Sequence, residues 1–179
     1  MVSQRLARIT GLLYAINIAI GIFAISWTRQ DKPVGDLVNL AGAAEYAVVV
    51  VLLGILFQPA ARTFSRTVAA VGLLACAVSA GALAHLFAFP TGVNPVVVFG
   101  PYCLGLGALV VRTGLLPRWL GLLLVLAGAS WLTFALPPLA LQLAPWNTVA
   151  GAVPEVLLTL WLLAFGIRRS GTQPALAAA

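Results

Sequence analysis

Acidic side chains are scarce in this chain. Of its 179 residues only four are Asp or Glu and one is His, against ten Lys and Arg. Charged residues make up 8% of the chain, where a soluble domain carries about 25%. With 62% hydrophobic residues and a mean hydropathy of +1.08, too little polar surface remains to cover the folded chain in water. A soluble domain is excluded, and the lipid bilayer is the expected surrounding. Cysteine is nearly absent too. Cys76 and Cys103 fall in separate apolar runs without metal-ligand spacing, so they read as small buried residues and not as a disulfide framework. There is no phosphate loop, no nucleophile elbow and no haem-ligating histidine pair. No cofactor is expected, and no residue is assigned as catalytic.

What is there is six apolar runs with breaks between them. About 20 apolar residues cross a bilayer, and the spans are placed at Ala7–Ser26, Leu37–Phe57, Thr67–Phe87, Pro95–Val111, Trp119–Leu136 and Thr148–Ile167. Proline or glycine stands near each break, where helices stop. The fold class is therefore all-α: a single bundle of six transmembrane helices over residues 1–169, followed by a mobile tail, 170–179. The stretch from Pro137 to Asn147 is apolar and is expected in the membrane interface, anchored by Trp146. The run after Arg5 and Arg8 is too long for the apolar core of a signal peptide and is read as the first span.

The net charge of +6 would suggest nucleic acid in a soluble protein. Here every basic residue flanks an apolar run, so no nucleic-acid partner is expected. Arg5, Arg8, Arg62, Arg66, Arg112, Arg118, Arg168 and Arg169 fall on one side, and Arg29 and Lys32 on the other. Such an asymmetry puts the richer side, with both termini, in the cytoplasm. The expected location is a bacterial cytoplasmic membrane.

Glu45, His85 and Glu155 lie inside these runs. A charge at the centre of a spanning helix costs roughly 2.5–3.5 kcal/mol, so such residues usually serve a purpose. At 1.5 Å per residue, Glu45 lies roughly 12 Å, Glu155 roughly 10 Å and His85 roughly 3–5 Å below the outer surface. Tyr46, Tyr102, Asn39, Ser130 and Thr133 fall in the same half, and Asn17 at mid-membrane must find a partner inside the bundle. No Lys or Arg lies within a span. The carboxyl groups are expected to hold a proton, to share one, or to meet a cation or basic ligand. Pro154 removes a backbone donor just before Glu155, and such interruptions are tolerated where they line a cavity. The functional reading is an outward-facing polar pocket formed by Glu45, Glu155, His85, Tyr102, Tyr46 and Asn17. The structural reading is protonated carboxyls that merely join helices through hydrogen bonds. His85 is equally an ordinary interfacial histidine. A metal site is disfavoured, because a second histidine and the Glu-x-x-His pattern are missing.

Gly11 and Gly21 on the first span, and Gly100, Gly105 and Gly107 on the fourth, mark close helix approach. Thr10-Gly11-Leu12-Leu13 and Thr113-Gly114-Leu115-Leu116 hint at two related hairpins, which would set Glu45 and Glu155 face to face across a pseudo-symmetric centre.

Several segments carry a family resemblance. Leu6-Ala7-Arg8-Ile9-Thr10-Gly11-Leu12-Leu13-Tyr14, Arg112-Thr113-Gly114-Leu115-Leu116-Pro117-Arg118-Trp119-Leu120-Gly121 and the run from Pro154-Glu155 to Leu163 resemble the prokaryotic membrane family known as domain of unknown function 4386. Glu45 falls where that family often carries an acid in its second span. The resemblance implies a six-helix fold and brings no activity or cofactor. It would also imply an arginine and a glutamine in the third span, where this chain has the apolar stretch Gly72–Ala84.

Three function classes follow. The first is a small transporter, or a protein binding a small ligand or cation through buried carboxylates. The second is an accessory or assembly subunit of a membrane complex with no site of its own. The third is an intramembrane enzyme acting on lipid. A homodimer or a larger membrane complex is compatible with all three.

Overall fold

The computed structural model describes residues 4–28, 30–84, 86 and 93–167. His85, Arg29, the stretch 87–92 and the tail from 168 onward, including the expected mobile segment 170–179, lie outside the described residues. Seven α-helices are present among those described: α1 (Gln4–Thr28), α2 (Lys32–Phe57), α3 (Arg62–Leu83), α4 (Phe99–Thr113), α5 (Arg118–Leu132), the short α6 (Pro137–Leu143) and α7 (Trp146–Ala164). Single 3₁₀ turns precede α4, at Pro95–Val98, and follow α5, at Thr133–Ala135. Among the described residues six helical segments are long and apolar enough to cross a membrane: α1, α2, α3 and α7, and α4 and α5 each continued by its adjoining 3₁₀ turn. The protein is a multi-pass membrane protein with an all-α fold.

Local chemistry explains where the helices begin and end. Asp31 caps α2 by accepting a 3.3 Å hydrogen bond from the Val34 amide, with Pro33 in the first turn. This cap starts α2 at Lys32, well before Leu37. Glu45 thereby moves from the outer part of the span to its middle, roughly 20 Å from the helix start at 1.5 Å per residue. Glu155 likewise sits midway along α7. Asn94 accepts from the Val96 amide at 3.0 Å and opens the turn into α4. Gly114 ends α4 at φ 64°, a left-handed conformation that glycine adopts without strain.

The six long helices form a closed ring in which α1 packs on α2, α2 on α3, α3 on α4, α4 on α5, α5 on α7, and α7 back on α1. Glycines decide how closely some of them meet. Gly100 and Gly107 of α4 face Gly128 and Gly121 of α5, and a Cβ on Gly107 would stand 2.6 Å from the Gly121 carbonyl oxygen. Both pairs are seven residues apart, so each pair lies on one stripe of its helix. Gly11 lets α1 approach Leu162 and Leu163 of α7. The closure is completed by Gln4, whose Nε2 donates to the Ile167 carbonyl at 2.5 Å and whose Oε1 accepts from the Ile167 amide at 3.2 Å. The beginning of α1 and the end of α7 therefore share one face of the bundle.

Tyr14, Tyr46, Leu53, Tyr102, Leu106, Leu124 and Leu158 are buried in one continuous core. The outside is greasy: Leu12, Ile22, Leu74, Leu122, Leu126 and Leu160 are all more than half exposed. Such a belt is stable in lipid and untenable in water. At the opposite face from Gln4, buried Asn147 joins the segment after α5 to α7. Its Nδ2 donates to Thr133 Oγ1 and to the Ala140 carbonyl, and its own carbonyl accepts from Ser130 Oγ at 2.6 Å. The Pro137–Asn147 stretch, expected as an interfacial connection, thus contains a helix of its own.

Candidate functional site

The polar centre of the bundle is built on Glu155. Its Oε2 accepts a hydrogen bond from Tyr14 Oη at 2.8 Å, and its Oε1 accepts one from Trp131 Nε1 at 3.0 Å. The Cys103 thiol lies 3.7 Å from Oε1. Beyond Tyr14, the Tyr46 hydroxyl is 3.0 Å away. One carboxyl group thus collects neutral donors from α1, α4 and α5, with a further hydroxyl from α2 behind them. Among the described residues the ion pair is Lys32 with Asp36, at the start of α2; no cation pairs with Glu155.

Several features bring these groups together. The indole of Trp131 lies across Gly151, one turn before Glu155, where a Cβ would come within 2.6 Å of the ring. A side chain at 151 would push the indole N–H away from the carboxylate. Gly72 similarly leaves room for the Tyr102 ring, again with 2.6 Å to a hypothetical Cβ. Thr159 Oγ1 donates to the Glu155 carbonyl at 2.9 Å, one turn beyond Pro154, which cannot bond the carbonyl four residues before it. Tyr46 packs against Tyr14, Phe99 and Tyr102 at centroid distances of 5.4, 5.6 and 6.2 Å.

Above this centre is a cavity of about 210 Å³, in the half of the bundle away from Gln4 and Ile167. Glu155, Trp131, Tyr46 and Phe99 line it together with Asn17 and Ser79. Drug-sized sites measure about 300–1,000 Å³, so this one suits a small molecule.

Of the residues singled out from sequence, Glu155, Tyr46 and Asn17 line the cavity. Tyr102 stands behind Tyr46, and its buried hydroxyl has no hydrogen-bond partner among the described residues. Glu45 is elsewhere. It sits at the seam of α1 and α2 beside the Asn17 amide, does not line the cavity, and its shielded carboxylate oxygens complete no hydrogen bond among the described residues. Asn17 Nδ2 donates instead to the Gly42 carbonyl at 2.8 Å. The two glutamates share no hydrogen bond, and Glu45 does not line the cavity that holds Glu155. His85 lies outside the described residues.

Sequence reasoning passed over Trp131, Tyr14 and Cys103 as partners of Glu155. A signal was available for the first two: aromatic residues with a polar handle, placed within spans, must find an acceptor there. Chemically, the hydroxyl chain can run in either direction. With Glu155 ionised, Tyr14 donates to the carboxylate and Tyr46 to Tyr14. With Glu155 protonated on Oε2, the carboxyl donates to Tyr14 and Tyr14 to Tyr46. Trp131 can only donate, so it holds Oε1 in both states. The arrangement accommodates a proton on Glu155 without rebuilding the site.

No curated protein and no solved structure matches the chain. Residues 91–166, which hold α4, α5, Trp131 and Glu155, match the model of a family described as domain of unknown function (DUF4386), in line with the resemblance read from the sequence over that part of the chain.

Proposed function

We propose that the protein is a small transporter, or a membrane protein that binds a small ligand, and that its site is the cavity ending on Glu155. The observation that carries this reading is a carboxyl group at the floor of a 210 Å³ cavity, held by neutral donors and, among the described residues, paired with no cation. A buried acid left without a countercharge is expensive in a membrane and is typically functional. The arginine asymmetry supports both termini in the cytoplasm of a bacterial inner membrane, which turns the cavity outward. Proton occupancy of Glu155, passed along Tyr14 and Tyr46, then alternates with ligand occupancy.

The test is reconstitution into liposomes carrying an internal pH-sensitive dye, with small solutes added outside. Wild-type protein is expected to move protons in response to at least one solute, and Glu155→Gln to insert equally well and move none. Retained flux in Glu155→Gln overturns the reading.

A second reading, an accessory subunit, is favoured by one observation. Both Glu155 oxygens are occupied by Tyr14 and Trp131, so the acid also joins α1 and α5 to α7. Under that reading Glu155→Gln changes stability alone.

A further inference from the structure

The cavity walls narrow the ligand class. Building on the reading above, we propose that this site takes an organic cation, a small quaternary ammonium or alkylamine, with its charge set between Glu155 and the rings of Tyr46, Phe99 and Trp131. Four observations on the same cavity carry this. Among the described residues, the one carboxylate lining it is Glu155, and no Lys or Arg lines it. Three of its lining residues are aromatic, and they come from three different helical segments. Tyr46 and Phe99 meet nearly edge-on, at 69° between ring planes and 5.6 Å between centroids, so their faces turn in different directions, as in a cage. Most of the remaining wall (Ile20, Gly21, Gly42, Ala43, Leu83, Val96) is apolar, and its other polar side chains, Asn17, Asn39 and Ser79, are neutral.

An inorganic cation would be poorly served here. Sodium or calcium needs several oxygen ligands, and beside a carboxylate already engaged by Tyr14 and Trp131 the cavity offers the side-chain oxygens of Asn17, Asn39 and Ser79, one on each of three helices. An anion would meet the electron-rich faces and a carboxylate of its own sign. An alkylated ammonium needs neither a shell of oxygens nor strong hydrogen bonds. It is attracted by ring faces within about 6 Å of their centroids, and its methyl groups suit the apolar walls. Glu155 supplies the countercharge, while Trp131 and Tyr14 keep it fixed when the site is empty.

The test uses the intact protein in lipid nanodiscs with Ser79→Cys, on the cavity wall opposite α7. Two thiosulfonate reagents of similar size are compared, one bearing a trimethylammonium group and one a sulfonate. Labelling of residue 79 is located by mass spectrometry, and each rate is divided by that reagent's rate with a free thiol. The expected result is a normalised preference of about tenfold or more for the cationic reagent, since a desolvated cation–π contact alone is worth about 2 kcal/mol. Tetramethylammonium should slow the labelling, and the neutral tert-butanol should not. Adding Phe99→Leu or Glu155→Gln should each reduce the preference, with labelling by the sulfonate reagent unchanged or faster. Equal normalised rates for the two reagents overturn the organic-cation proposal while leaving a ligand cavity in place. Failure of both reagents to reach residue 79 overturns the cavity reading as well.

Discussion

Glu155 couples three helices through single hydrogen bonds, which makes its contribution measurable one bond at a time. Removing the Tyr14 hydroxyl in Tyr14→Phe deprives Oε2 of its donor and leaves the Tyr46 hydroxyl facing a ring C–H that offers no hydrogen-bonding partner. In membranes such side-chain bonds couple by roughly 0.6 kcal/mol on average and up to about 1.7. A double-mutant cycle of Tyr14→Phe and Glu155→Leu, read by unfolding in mixed micelles, is expected to give a coupling in that range. A coupling of zero would mean that the two side chains do not act together. Glu155 was legible in the sequence because an acid inside an apolar run is rare. Its donors were less legible, because tyrosine and tryptophan are common at the ends of spans, where they do no more than anchor. What distinguishes Trp131 is a glycine on another helix, Gly151, and no local pattern links the two.

At the scale of elements, the helix ends and the tight crossings were partly written in the chain. Proline and glycine mark most breaks, but the side-chain cap at Asp31 lengthened α2 beyond its apolar run, and that extension brings Glu45 and Tyr46 to mid-helix. The glycines of α4 were recognised as packing residues, yet their counterparts on α5, Gly121 and Gly128, were not singled out. The two kinds of glycine are separable by experiment. In Gly107→Ala the new Cβ meets backbone at 2.6 and 2.7 Å, which cannot be relieved by turning a side chain. The cost is expected at about 1–3 kcal/mol, with α4 and α5 pushed apart. In Gly21→Ala nothing lies within 4 Å of the new Cβ, and the better helix propensity should add up to about 1 kcal/mol of stability. Unfolding midpoints of the two variants moving the same way would contradict the α4–α5 crossing described here.

For the whole molecule the decisive feature is ring closure of α1 on α7. It brings Tyr14 from the start of the chain to Glu155 near its end, and fixes both ends of the described chain on one face through Gln4 and Ile167. Which face that is follows from charge. A reporter active only in the cytoplasm, fused after residue 179, is expected to be active, and one active only outside the membrane to be silent. The reverse result would turn the cavity toward the cytoplasm and reverse the direction from which a ligand enters.

By itself the sequence determined that this chain lives in a membrane, that it has six runs long enough to cross it, and that Glu45, His85 and Glu155 lie inside those runs. Hydropathy, span length and the position of breaks are properties of consecutive residues, so no fold is needed to read them. Depth along a helix is equally local. Direction around the helix axis is not, because neighbouring residues differ by about 100°. Glu45 and Tyr46 share a depth, but only Tyr46 turns into the ring, while Glu45 is left at the α1–α2 seam beside Asn17. Only tertiary structure decided that. The glycine-permitted approach of six helices sets each one's rotation, and rotation selects which polar groups meet in the cavity and which are kept apart.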